Sequence, residues 1–203
     1  MKRGTLIVFE GIDGCGKSTQ LRRLAERLRA KGIDPVVTRE PTEGPWGRKI
    51  RAMAQSGEAV SPETELEWFF EDRRDHMREV VTPALEAGRV VLSDRSYLST
   101  VAYQGARGLD AAKILADSEA EFERPHVALI FELSPEAGLA RVDARGGTSE
   151  PVFENLPFQQ RVARAFAELE VEGLVRIDAD RDEDAIAHDV WEAVRACVEE
   201  ALA

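Results

Sequence analysis

Residues 11–18 read Gly11-Ile12-Asp13-Gly14-Cys15-Gly16-Lys17-Ser18, and they fit G-x-x-x-x-G-K-[ST]. In that pattern glycines bring backbone N–H groups close to phosphate oxygens. The lysine reaches the β/γ-phosphates and the hydroxyl ligates Mg²⁺. The flanks supply the required context. Thr5-Leu6-Ile7-Val8-Phe9 reads as a buried strand, and Leu21, Leu24, Ala25 and Leu28 form one face of a helix. A helix N-terminus adds unpaired N–H groups and a favourable dipole for an anion.

A second set of charged residues follows apolar strands. Asp94 ends Val90-Val91-Leu92-Ser93, where nucleotide-binding sheets keep a carboxylate near Mg²⁺. Arg95 beside it and Arg39 after Pro35-Val36-Val37-Thr38 could hold a second phosphate by bidentate contacts. The lesser alternative is that they form structural ion pairs with Glu40 or Asp94. Phe69 and Arg73, four apart in a helical pattern, offer an aromatic face and a guanidinium suited to a nucleobase, although aromatic stripes more often serve the core. Arg141 and Arg145 are also four apart, just before Gly146-Gly147, as a closing element or as a solvated basic face.

These residues need a frame that brings strand ends together. Five apolar strands alternate with helical stretches, the later strands being Val127-Ala128-Leu129-Ile130-Phe131 and Val175-Arg176-Ile177-Asp178. Continuous apolar strands in alternation imply a parallel sheet covered on both faces, with ligands at the strands' carboxyl ends. The residues after each strand are therefore the ones to inspect, including Asp178-Ala179. Helices are expected over 48–55, over 62–87 with a kink at Pro83, over 110–121, from Pro135 to about 145, over 159–169 and over 182–199. The stretch with Tyr97, Tyr103 and Gln104 reads as broken at Gly105 and Gly108, and 148–156 reads as exposed and flexible.

At 203 residues the chain suits one domain with a core that needs no staples. A net charge of −11 opposes binding to nucleic acid polymers. No apolar run reaches the roughly 18 residues of a membrane helix. Met1-Lys2-Arg3-Gly4 leads directly into the first strand, leaving no room for a signal peptide, so a cytoplasmic location is expected. Cys15 and Cys197 imply neither a disulfide pattern nor a zinc site, and His76, His126 and His188 lack metal-ligand spacing. Asn155 is the only asparagine, which rules out the guanine-reading Asn-Lys-x-Asp of regulatory GTPases.

Taken in order, Phe9-Glu10-Gly11 through Thr19, Thr38-Arg39-Glu40-Pro41, Phe69 with Asp72-Arg73, Pro83-Ala84-Leu85, Asp94-Arg95, Ala102-Tyr103-Gln104-Gly105, and Pro135 to Arg141 with Arg145-Gly146 resemble the thymidylate kinase family of P-loop nucleoside monophosphate kinases. The resemblance implies a three-layer αβα sandwich with a five-stranded parallel sheet, helices on both faces and a short lid near 146–156, in a single domain spanning 1–203. It implies phosphoryl transfer from ATP to dTMP with Mg²⁺, in a homodimer. By it, Gly11, Ile12, Asp13, Gly14, Cys15, Gly16, Lys17, Ser18 and Thr19 would bind ATP, with Arg141 on the adenine and Ala179 nearby. Asp13, Arg39, Phe69, Arg73, Arg95, Thr100, Tyr103 and Gln104 would bind dTMP. Ser18 and Asp94 would hold the metal. Lys17, Arg39, Asp94, Arg95 and Arg145 would serve catalysis.

The chain departs from the family pattern in two respects. Ser96 follows Asp-Arg where an aromatic or histidine is common, and Leu98 replaces a commonly polar residue. Neither Gly14 nor Cys15 is the arginine that one branch places in the phosphate loop, and 148–154 contains no arginine of the lid type. Arg145 or Arg161 is left to supply that charge. A deoxynucleoside kinase using Glu40 as base, or a catalytically weak nucleotide-binding protein, are the competing readings.

Overall fold

The three central strands form where β-branched and aromatic residues run together and both faces can be buried. A computed structural model describes residues 3–146 and 150–202. Five strands form one parallel sheet: β1 (Thr5–Glu10), β2 (Val36–Arg39), β3 (Val90–Asp94), β4 (Val127–Glu132) and β5 (Leu174–Asp178), in the order β2-β3-β1-β4-β5. All six residues of β1 are buried, and Phe9 stacks on Phe131 of β4 with ring centroids 5.9 Å apart. β2 lies on an edge, and its Val37 is exposed.

The connections follow from strand order and right-handed crossing. From β1 the chain moves outward through α1 (Lys17–Ala30) to β2. It then travels the other way, through α2 (Pro45–Ser56), α3 (Pro62–His76) and α4 (Thr82–Glu86) to β3. From β3 it passes through α5 (Tyr97–Ala106) and α6 (Ala111–Glu121) to β4, and through α7 (Pro135–Arg145) and α8 (Leu156–Glu168) to β5. The reversal puts those helices on the opposite face from α1. The last helix, α9 (Glu183–Leu202), returns to pack beside α1. This is the αβα sandwich expected from the strand and helix pattern.

The order also creates a switch point. β1 leads toward β2 past β3, while β4 lies on its other side, so the loop after β1 opens into a crevice at the carboxyl edge.

Local chemistry sets most helix starts. Ser61, Ser96, Asp110, Ser134 and Asn155 each accept a backbone N–H at the start of their helix. Three expectations are corrected. Helical backbone does run from Pro62 to Glu86, but the irregularity is a π-turn over Met77–Val81, where the Thr82 N–H reaches back to Met77 O. Pro83 has no N–H for the Glu79 carbonyl, and the wide turn absorbs that mismatch just before it. Second, α5 runs straight through Gly105 and ends only where Gly108 turns to φ 98°. A Cβ on Gly105 would sit 3.1 Å from the Ala111 Cβ, so this glycine serves packing rather than a break. Third, of the stretch 148–156 expected to be exposed, residues 148 and 149 lie outside the described residues, but Phe153 is buried against Tyr103 and Phe158 at ring distances of 5.8 and 6.1 Å.

Among the described residues no helix is long and apolar enough to cross a membrane.

Candidate active site

Strand geometry sorts the charged residues at the carboxyl edge. Alternation along β2 turns Arg39 outward, where it pairs with Glu43, and turns Glu40 inward. Glu40 accepts from Arg73 Nε at 2.9 Å and Nη2 at 2.7 Å, and from His76 Nδ1 at 2.9 Å. The far nitrogen of His76 meets Thr38 Oγ1 at 2.7 Å. Burial opposes the charge on Glu40, but Arg73 and His76 outweigh it and hold its carboxyl below the ordinary range.

The loop between β1 and α1 is shaped by close approach. Gly14 has φ 78°, and a Cβ there would lie 2.1 Å from the Gly138 carbonyl in α7. Reciprocally, a Cβ on Gly138 would lie 2.5 Å from Asp13 O. The loop and α7 therefore interlock backbone to backbone. α1 has no side-chain cap, and its N-cap is Gly16. Its orphan N–H groups are left to face an anion. Lys17 folds over the loop, donating to Gly11 O at 3.1 Å and Ile12 O at 2.8 Å. Ser18 donates to Asp94 Oδ2 at 2.5 Å, bringing two hard oxygen donors together at the end of the loop.

Arg95 has a positive φ of 77°, a conformation costing on the order of 1–3 kcal/mol in a non-glycine residue. The strain aims its guanidinium across the site. It donates to Gly11 O at 3.2 Å, to Ser99 Oγ at 2.9 Å and to Tyr103 OH at 3.2 Å, and pairs with Asp13. Asp13 also accepts from Tyr103 OH at 3.2 Å and Gln159 Nε2 at 3.1 Å. Burial works against its charge, but Arg95 and Lys17 prevail and hold its carboxyl below the ordinary range. Beneath lies Glu10, fully buried, accepting from Ser96 Oγ at 2.7 Å and Ser99 Oγ at 2.5 Å. Burial raises its carboxyl despite those bonds. Ser96, which departs from the family pattern, is thus occupied as both helix cap and Glu10 donor.

One cavity of about 650 Å³ joins these parts. Asp13, Gly14, Cys15, Gly16, Lys17, Ser18 and Thr19 line one end, and Phe69, Arg73, Thr100, Tyr103 and Gln104 line the other. Arg39, Asp94, Arg95, Arg141 and Arg145 also border it. Gly11, Ile12 and Ala179 lie behind the lining; Ile12 is a core residue, and Ala179 offers only its carbonyl, 3.3 Å from Arg141 Nη1. Of the aromatic run on α3, Phe69 faces the cavity. Phe70 packs on Phe122 at 5.3 Å, and Trp68 carries Lys49 at 3.9 Å.

The ion pairs considered for the strand-end arginines are corrected. Arg39 pairs with Glu43 and Arg95 with Asp13, rather than with Glu40 or Asp94. Arg161 is held away from the cavity, donating to Ala106 O at 3.0 Å and Pro157 O at 3.2 Å.

Other lining residues escaped the sequence reading. Arg51 of α2 reaches the cavity while donating to Pro41 O at 2.8 Å and Thr42 O at 2.5 Å. Glu150, Phe153 and Glu154 enter from the segment before α8. A signal for Arg51 existed in its place on the first helix after Arg39-Glu40-Pro41. Nothing local marked the other three. Among the described residues no group of three or more His, Cys, Asp or Glu side chains could hold a metal ion.

A family model described as thymidylate kinase matches residues 9–190. The chain is 40% identical over 187 residues to a thymidylate kinase of Desulfotalea psychrophila, covering 92% of both chains. It is also 40% identical over 199 residues to a thymidylate kinase of Xanthomonas euvesicatoria, covering 98% of this chain and 87% of the relative. A third, from Xanthomonas campestris, is 39% identical over the same length. With the phosphate loop, the strand order and the full-length match in agreement, the chain belongs to the thymidylate kinase family.

Proposed function

We propose that the protein transfers the γ-phosphoryl group of ATP to dTMP, giving ADP and dTDP. The observation that carries this reading is the single cavity with two unlike ends, a phosphate loop at one and an aromatic, amide and guanidinium cup at the other. Asp13 and Arg95 join the ends, so the loop that holds the donor also borders the acceptor.

In this reading the α1 N-terminus, Lys17, Ser18 and Thr19 bind the ATP phosphates, and Arg141 lies along the adenine. Phe69 stacks on thymine, while Arg73 and Gln104 meet its polar edge. Tyr103 packs under the deoxyribose, Asp13 approaches its 3′-hydroxyl, and Arg39 and Arg95 hold the acceptor phosphate. A phosphate monoester is already anionic near neutral pH, so no general base is needed. Positioning and charge neutralisation suffice. Glu40, the base a deoxynucleoside kinase would need, is committed to Arg73 and His76, which favours the monophosphate acceptor.

Ser18 and Asp94 would hold Mg²⁺, and their oxygen donors suit a hard cation that keeps most of its ligands from substrate and water. When bound, Mg²⁺ supplies neutralisation of charge on the phosphoryl oxygens. The segment 146–156 would act as the lid over the cavity, excluding water from the transferring group. From its length and apolar patterning we read the protein as a cytoplasmic single domain, and by the resemblance as a homodimer, which a solution mass of twice the 22.5 kDa chain would support.

Coupled ATP consumption with dTMP, thymidine, dUMP, dCMP and no acceptor tests the reading. Turnover is expected with dTMP and only background with thymidine; turnover with thymidine favours a nucleoside kinase, and silence throughout favours a binding protein. The interlock of loop and α7 gives a second prediction. Gly138→Ala must push the loop away from Asp13 O, and kcat/KM for ATP is expected to fall about 10²-fold, as misplacement of this size does. Wild-type kinetics for this variant would show that the interlock does not position the loop.

A further inference from the structure

Gln104 sits on α5 with its side chain wholly buried at the acceptor end of the cavity. Its Nε2 donates to Glu65 Oε1 at 2.6 Å. Its Oε1 is buried and has no hydrogen-bond partner among the described residues. Glu65, on the first turn of α3, is fully buried too, stands behind Gln104 rather than in the lining, and forms an ion pair with Arg107. Arg107 is itself tethered, donating through Nη2 to Val60 O at 2.7 Å.

The orientation of the Gln104 amide follows from chemistry. An ionised carboxylate accepts and never donates, so the flipped amide would set oxygen against oxygen between two fully buried side chains. The Arg107 guanidinium stands against the other oxygen of that carboxylate. The amide is thereby forced to present an acceptor on the side away from Glu65. Next to it, Arg73 is fixed by Glu40 and by Thr100 Oγ1, which accepts Nη2 at 2.9 Å one helical turn before Gln104. Arg73 Nη1 is likewise buried with no partner among the described residues. Both residues line this end of the cavity, one with an unused acceptor and the other with an unused donor.

We infer that Glu65 is a positioning residue which, held by Arg107, locks the Gln104 amide so that the site accepts a pyrimidine edge with an N3–H donor and an O4 acceptor and rejects cytosine. Cytosine carries the reverse pattern, a bare N3 and an N4 amino donor. It would set its amino group against Arg73 and leave the Gln104 oxygen unpaired. A buried site built around such a pair rejects the mismatched analogue strongly, because its polar groups are left without partners. This rests on the reading that dTMP is the acceptor.

The test is the ratio of kcat/KM for dTMP to that for dCMP, measured with ATP and Mg²⁺ on wild type, Glu65→Gln and Gln104→Leu. In Glu65→Gln an amide faces an amide, and either orientation of Gln104 can pair. The ratio is expected to fall by at least about tenfold. Gln104→Leu removes the acceptor and leaves the Glu65–Arg107 pair, and its ratio should fall at least as far. In the double variant the ratio should drop no further than in Gln104→Leu alone, since the two act as a unit. A purely structural role for Glu65 would lower both substrates in parallel and leave the ratio at its wild-type value, which would overturn the inference. If Glu65→Gln does not fold, an unchanged ratio in Gln104→Leu overturns it equally. Failure of the wild type to phosphorylate dTMP would instead sink the acceptor assignment itself.

Discussion

Arg145→Ala is expected to lower kcat by about 10³-fold with ATP and dTMP, a loss of about 4 kcal/mol of transition-state stabilisation. The phosphate loop carries no arginine beside Lys17, and 148–154 carries none either. The cationic charge that spreads over the transferring phosphoryl group must come from another element. Most cavity arginines already have partners: Arg39 with Glu43, Arg51 with Pro41 O, Thr42 O and the Glu43 carboxylate, and Arg95 with Asp13. Arg145 stands on the last turn of α7, exposed at the cavity's edge. The interlock of Gly138 with the phosphate loop fixes the other end of that helix against the donor site. Arg161→Ala, by contrast, should leave kcat within a few-fold of wild type, because its guanidinium is spent on Ala106 O and Pro157 O. Steady-state kinetics on both variants decide the matter. An effect of Arg145→Ala confined to KM would assign it to ground-state binding, and no effect would remove it from the mechanism.

Glu40→Ala is expected to cost about 3–5 kcal/mol of folding stability, measured by urea denaturation. Glu40 and Arg73 are both almost fully buried, and removing the carboxylate leaves a guanidinium in the interior with only Thr100 as a polar neighbour for its Nη2. Such an orphaned charge costs more than the pair contributes. His76 loses its acceptor as well. The pH dependence has a definite sign. The folded-state carboxyl of Glu40 is held below its ordinary value of 4.5. Its contribution is therefore complete above that value and is lost as pH falls through the lower folded one. The stability gap between wild type and Glu40→Ala should be constant at neutral pH and narrow below about pH 4.5. A gap that widens on acidification would contradict this account.

Glu10 bears the opposite sign. Burial raises its carboxyl, so folding binds a proton there and its ionised form opposes stability as pH rises. Two buried carboxylates at the same strand edges thus respond oppositely to pH because one has a guanidinium and the other only hydroxyls within hydrogen-bond reach.

The amino-acid sequence by itself determined what depends on neighbours along the chain. Five apolar runs named the strands, their alternation with helical periods named the parallel sheet, and the glycine loop before α1 marked one end of the cavity. Ser61, Asp110 and Pro135 marked helix starts correctly, because a cap needs only the next three residues. Only the tertiary structure decided the rest. Whether Gly105 breaks a helix depended on Ala111 of the next one, and whether Phe153 is exposed depended on Tyr103 and Phe158. Which carboxylate each arginine meets was set by β-strand alternation and by the order in which β2, β3 and β1 lie side by side. The link from Glu65 to Gln104 spans 39 positions and joins α3 to α5. Periodicity reports which face a residue shares along its own element; it carries no information on what stands opposite, and the partners that orient this site all stand opposite.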